Sequence, residues 1–277
     1  MSAERSVPEL AREGRRAFTF RGVEVHCYHA AGTVADSRLS ESDPTGHVPW
    51  SAMPLLALFL TSDEGTQLVR GKRVVELGSG VGVPGMLAAA VGARRVVMSD
   101  FNEEVLQSLR RTAAEAGCGR VEVLPLTWGR GAGLPEGLPP GEWDVVIGSD
   151  IVYSEGSIGA LLETVDDLLA EGGVFVLAYC SRWAHVDKAF ATACKHAGLA
   201  LSEVPLWSFV PPESDIAISA SLILTTREST GASGSSQGPA AAAEMVAAAG
   251  APPSVVGGRL EARPAQLTPG VMSDVSA

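Results

Sequence analysis

The sequence predicts an α/β protein: an open, Rossmann-like sheet of seven strands with an antiparallel C-terminal pair, preceded by a separate N-terminal β-hairpin. Three observations carry this. Apolar, strand-like runs alternate with helical patterns from Val74 to Gly198. The first of these strand-to-helix junctions is a glycine loop, Gly78, Gly80, Gly82 and Gly85. Finally, residues 199–206 and 216–226 form two strand-like runs joined across Pro211-Pro212 with no helix between them, which demands antiparallel pairing. A wholly parallel sheet would have continued to alternate.

The hairpin comes first. Residues 17–20 and 23–28 alternate around Arg21-Gly22. His26 and His29 are three apart on this strand and face opposite sides, so they do not chelate one metal together. Residues 30–46 are small and polar and end in Asp43-Pro44-Thr45-Gly46, a loop. Trp50 then opens a helix through Leu55, Leu56, Leu58 and Phe59.

Val74-Val75 forms the first sheet strand. Pro84 suits the first turn of the next helix, which lacks partners for its N–H groups in any case, and Gly92 ends that helix. Val96-Val97-Met98 delivers Asp100 at a strand's carboxyl end, the edge where open α/β sheets bind ligands. Asn102 caps a helix over 103–116, with Val105, Leu106 and Leu109 at helical spacing and Gly117 as its stop. Strands over 121–124 and 143–149 flank a glycine- and proline-rich loop, 129–142. A helix over 157–170 buries Leu161, Leu162, Val165, Leu168 and Leu169. Glu171-Gly172-Gly173 turns the chain into a strand over 174–179, and a helix follows through Phe190 and Cys194 to Gly198. The expected organisation is a flexible start, 1–16, one domain, 17–228, and a low-complexity tail, 229–277. The tail is rich in Ala, Gly, Ser and Pro, has no aromatic residue, and is expected to be disordered.

The chain carries a net charge of −11, of which the tail supplies one unit, so the domain itself is acidic. Such a surface repels phosphate backbones and suits a basic protein partner, and no nucleic acid is expected. Cys27, Cys118, Cys180 and Cys194 show neither C-x-x-C spacing nor a histidine cluster, so no metal site is expected. Idle thiols fit a reducing compartment. The charged start has no apolar segment of signal-peptide type, and the run 53–60 is too short to span a bilayer. A soluble cytoplasmic protein is the expectation.

The glycine loop has two readings. Gly80-Val81-Gly82-Val83-Pro84-Gly85 spells G-x-G-x-x-G, and Asp100 follows Gly80 by 20 residues, as in a dinucleotide site. Glu76 argues against NAD, because it stands two residues before Gly78, where a pyrophosphate would need positive potential. A cationic cofactor fits better. S-adenosylmethionine carries an ammonium and a sulfonium and no phosphate, so Glu76 and Asp100 would receive its amino-acid end and its ribose hydroxyls.

Glu76-Leu77-Gly78-Ser79-Gly80-Val81-Gly82 resembles the first motif of class I S-adenosylmethionine-dependent methyltransferases. Trp50 before an apolar helix, Leu126-Thr127-Trp128-Gly129 after the third sheet strand, and Asp150-Ile151-Val152-Tyr153 after the fourth narrow the likeness. Together they resemble the family 16 methyltransferase-like proteins, many of which methylate lysines of other proteins. The likeness covers roughly residues 17–226 and implies the Rossmann-like seven-stranded methyltransferase sheet. It further implies cofactor contacts at Trp50, Glu76, Gly78, Ser79, Gly80, Asp100, Trp128 and Ser149, and a catalytic pair, Asp150 and Tyr153, beside the acceptor amine. Two positions depart from the family pattern: Ser51, where an acidic residue is common, and Ser149, where alanine is common. The function implied is methylation of lysine in a protein substrate. The alternatives are a histidine, arginine or small-molecule acceptor, or a cofactor-binding scaffold without activity.

Overall fold

A computed structural model describes residues 14–29, 45–117, 119–211 and 220–227, together with an antiparallel pair of two-residue strands, Val255–Val256 and Arg259–Leu260. Most of the expected flexible start and most of the low-complexity tail lie outside the described residues. Strands β1 (Gly14–Phe20) and β2 (Val23–His29) form the hairpin, with positive φ at both Arg21 and Gly22, the geometry of a type I′ turn. The hairpin stands apart from the main sheet.

Helix α1 (Met53–Leu60) follows, then α2 (Asp63–Val69), which the sequence reading did not anticipate. Ser62 caps α2 by accepting from the Gly65 N–H, a local signal inside a segment without helical periodicity. The alternation then runs β3 (Arg73–Leu77), α3 (Val83–Ala90), β4 (Arg95–Asp100), α4 (Glu103–Ala116), β5 (Val121–Pro125) and β6 (Trp143–Ser149). It continues with α5 (Glu155–Leu168), β7 (Leu169–Cys180), α6 (Ala184–His196), β8 (Leu199–Val204) and β9 (Ala220–Arg227). The expected turn at Glu171-Gly172-Gly173 lies inside β7. Leu169 already pairs with Trp143, and the register shifts before Val145 meets Val174. The two glycines therefore make an irregularity in a longer strand, where a Cβ on Gly173 would stand 2.9 Å from the Trp143 carbonyl oxygen.

The sheet order is β5-β4-β3-β6-β7-β9-β8, with β9 antiparallel to both neighbours and β3 to β7 parallel. Successive residues point to opposite faces. Val74, Val96, Val145 and Val174 lie in register and pack under α1, α3 and α4, while Val75, Val97, Val146 and Phe175, one residue on, pack under α5 and α6. Full burial of such a side chain stabilises by about 1.5–3 kcal/mol. The hairpin covers the outer side of α3 and α4, where Tyr28 N–H donates to Thr112 Oγ1 (3.1 Å) and its hydroxyl to Glu115 Oε1 (2.7 Å).

This order puts a topological switch between β3 and β6, so the carboxyl ends of β3, β4 and β6 open a crevice. Helix α4 starts at that edge, where Asn102 Oδ1 accepts from the N–H groups of Glu104 (2.9 Å) and Val105 (3.4 Å). Asn102→Ala removes both bonds and is expected to cost about 1 kcal/mol. Urea unfolding checks this, and an unchanged midpoint would show that the cap contributes nothing.

Candidate active site

Several amides of the loop between β3 and α3, and of the first turn of α3, are bonded within the protein. Ser79 N–H donates to Ser99 O (2.8 Å), Gly80 N–H to Asp100 Oδ2 (3.1 Å), Gly82 N–H to Ser79 O (2.7 Å) and Gly85 N–H to Glu76 Oε2 (3.1 Å). A pyrophosphate would need these donors, and two of them are held by the side-chain oxygens of Asp100 and Glu76. The loop thus fits a cofactor with cationic groups and no phosphate, which is the chemistry of S-adenosylmethionine. Gly78 has φ +57°, and a Cβ there would stand 2.9 Å from Ile151 Cγ2 and 3.4 Å from the Trp128 ring, closing the space a ligand needs.

That space is a cavity of about 450 Å³ at the switch point, within the usual size of a small-molecule site. Eight of the ten expected site residues line it: Trp50, Gly78, Gly80, Asp100, Trp128, Ser149, Asp150 and Tyr153. Glu76 and Ser79 are not among its lining residues. Both are buried, with Ser79 Oγ accepting from Ser99 N–H (3.0 Å) while Glu76 holds Gly85. A Cβ on Gly85 would come within 2.6 Å of Glu76 Oε2, so this glycine is what lets the carboxylate sit against the first turn of α3. Burial pushes the Glu76 carboxyl up to about 8, against the opposing effects of the Ser79 hydroxyl and the Gly85 N–H. A second cavity, of about 490 Å³, lies between the hairpin and helices α3 and α4 and contains none of these residues.

Asp150 directly follows β6 with φ +56°, uncommon for a residue other than glycine. Its Oδ2 accepts from Ala52 N–H (3.0 Å), and its Oδ1 accepts from Cys180 N–H (3.1 Å) and Arg182 Nη1 (3.1 Å). The helix it serves is therefore α1, through Ala52. Helix α5 begins at Ser154 without a side-chain cap. The Arg182 guanidinium also lies over the Trp50 ring, 5.4 Å from its centroid. Ser149 Oγ is shielded from solvent and has no hydrogen-bond partner, an open valence in the cavity wall. Tyr153 stands at the mouth, half exposed.

Phe101, Arg182 and Trp183 also line the cavity and were not singled out from the sequence. Their signal was positional: Phe101 directly follows Asp100, and Arg182-Trp183 follows β7, both at strand carboxyl ends.

The raised Glu76 carboxyl has a stability consequence. Its folded-state value, about 8, lies above the ordinary 4.5, so the native state keeps a proton that the unfolded chain releases. Stability from this group is therefore present below pH 4.5 and is lost as pH rises to about 8. Glu76→Gln, which retains an acceptor for Gly85, should flatten the melting-temperature profile over that window and raise stability at its upper end. Parallel profiles for the two proteins would contradict this.

The chain matches the lysine methyltransferase family over residues 37–197. It is 35% identical to protein N-lysine methyltransferase METTL21A of Danio rerio over 178 residues, covering 61% of this chain and 78% of that one. It is 33% identical to protein-lysine N-methyltransferase EFM3 of Chaetomium thermophilum over 184 residues, 61% of this chain but only 53% of that longer protein. Among solved structures, the T. thermophilus 16S rRNA N2 G1207 methyltransferase RsmC, in complex with AdoMet and guanosine, shares the fold. Its TM-score is 0.53 at 17% identity, over 81% of this chain and 53% of that one. The match to the family spans more than half of the chain, and with the glycine loop, the paired acids and the cavity in place, the chain belongs to the lysine methyltransferase family.

Proposed function

We propose that this protein transfers methyl groups from S-adenosylmethionine to lysine side chains of a protein substrate. The observation that carries the reading is one cavity that joins a carboxylate-bound glycine loop to an aromatic mouth. S-adenosylmethionine, when bound, supplies an electrophilic methyl on a sulfonium. The chain's part is to bind, orient and dry the site. Gly78 and Gly80 leave room for the cofactor, Asp100 accepts its ribose hydroxyls, and Trp50 and Trp128 wall it. Ser149 Oγ offers a hydrogen bond, while Glu76 and Ser79 act from beneath by fixing the loop.

A lysine amine has a reference value of about 10.4 and attacks only when neutral. An apolar, aromatic-lined cavity disfavours the charged form, which lowers that value. Tyr153 at the mouth orients the amine, and Asp150 fixes the wall it approaches and supplies negative potential. Holding the amine in line with the reacting methyl is the main contribution, since such positioning reaches effective molarities of about 10⁵–10⁸ M.

The acidic composition supports a basic protein as partner and speaks against nucleic acid. Among the described residues no helix is long and apolar enough to cross a membrane. Cys27, Cys180 and Cys194 are buried free thiols, which supports a reducing compartment such as the cytoplasm.

Methyl-labelled cofactor incubated with a protein extract, followed by location of the label by mass spectrometry, tests the reading. Label on lysine supports it. Label on arginine, histidine or a small molecule changes the acceptor, and no label at all leaves a cofactor-binding scaffold. Two substitutions probe the assignment further. Asp100→Ala should weaken cofactor binding by about 1.5–3 kcal/mol, the range for hydrogen bonds to a charged group, and calorimetry measures this. Unchanged affinity in a folded variant removes Asp100 from the cofactor's contacts. Asp150→Asn places an amide against N–H donors, so it should destabilise the fold by about 1.5–3 kcal/mol. It should also slow transfer per folded molecule by about 10²-fold. Lost stability with turnover intact would mark Asp150 as a purely structural group.

A further inference from the structure

Phe101, Tyr153 and Trp183 are 63%, 53% and 51% exposed, and all three line the one cavity. Leu201, on β8, is the other large hydrophobic side chain so exposed among the described residues, and it is not part of that cavity. Exposed aromatics confined to the rim of one opening mark an interaction surface rather than incidental exposure. They also arise in the same way. Each sits on a strand-to-helix junction: Phe101 between β4 and α4, Tyr153 between β6 and α5, and Trp183 between β7 and α6.

Each of these helices carries acid in its first turn: Glu103 and Glu104 on α4, Glu155 on α5 and Asp187 on α6. Glu103 is paired with Arg110, whereas Glu155 has the exposed His185 as its partner at 3.9 Å and Asp187 accepts from the neutral Ser181 hydroxyl. Arg182, the cation that lines the cavity, is held against Asp150. The rim therefore presents aromatic faces, with carboxylates a short step along the chain behind them, Glu155 two residues after Tyr153 and Asp187 four after Trp183, a combination complementary to cations on apolar stems.

We propose that Phe101, Tyr153 and Trp183, with Glu155 and Asp187, form the docking surface for the acceptor: a protein segment in which the target lysine is flanked by further lysine or arginine. This rests on the methyl-transfer reading above and names what that reaction selects. The aromatic faces pack the stems and hold the target ammonium at the mouth, and the two carboxylates favour cationic neighbours over neutral or acidic ones.

The test uses the full chain, labelled cofactor and short peptides with one central lysine whose flanks are arginine, glutamine or glutamate. Expected kcat/KM falls in that order, by about tenfold or more between the extremes, and less at high salt. Glu155→Gln combined with Asp187→Asn should compress the spread to about threefold or below. Trp183→Ala should raise KM far more than it lowers kcat, and Trp183→Phe should restore most of the loss, since a ring is what the surface requires. Labelling that ignores the flanks, or a double variant that retains the full preference, overturns the docking proposal and leaves methyl transfer standing. Absence of label from every peptide, in a protein that binds the cofactor, overturns the transfer reading and the docking surface with it.

Discussion

The buried carboxylate of Asp150 holds together the parts of the chain that make the site. Its side chain is 1% exposed, and an ionised group so placed is costly unless donors compensate. Three donors do, from two separate stretches: Ala52 N–H at the entry to α1, and Cys180 N–H with the Arg182 guanidinium at and just beyond the end of β7. The left-handed backbone at Asp150 turns the carboxylate back between them, while its own N–H is retained by Ala178 O. Arg182 in turn lies over Trp50. Residues far apart in sequence thus become one wall, and the wall is set before any ligand arrives.

Asp100 and Glu76 do the corresponding work on the opposite side of the cavity. Their oxygens take the Gly80 and Gly85 amides, so these two donors are already used and do not serve an anion. The fold family binds many ligands at this edge, and here the choice among them follows from which groups occupy the loop's donors. Glu76 is tolerated in the interior because burial keeps its proton on, while one oxygen still accepts from the Gly85 N–H.

Local chemistry made much of this legible. The limits of α4 follow from Asn102 and Gly117, the presence of β6 from Val145-Val146-Ile147, and the antiparallel edge from the missing helix between β8 and β9. The glycine loop and the acids around it announced a cofactor edge from spacing alone. Tertiary contacts concealed the rest. That Asp150 bonds residues 98 positions before it and 30 after it has no local signature. Whether an aromatic such as Phe101 or Trp183 is buried or exposed depends on what the fold lays over it. The start of β7 was misjudged because a Gly-Gly pair serves a strand irregularity as readily as a turn, and pairing with Trp143 decides between them. Helix α2, seven residues long, was too short for its periodicity to stand out.

The antiparallel placement of β9 fixes which pole of the sheet that strand ends on. Ala220 pairs with Cys180 beside the cavity edge, and seven residues later Arg227 pairs with Leu199, at the far end of the sheet. A strand of that length covers about 25 Å. Arg227 thus stands at the pole opposite the mouth, which makes this end of β9 the natural point for an affinity handle, a fluorophore or a surface tether when the mouth must remain open to large partners.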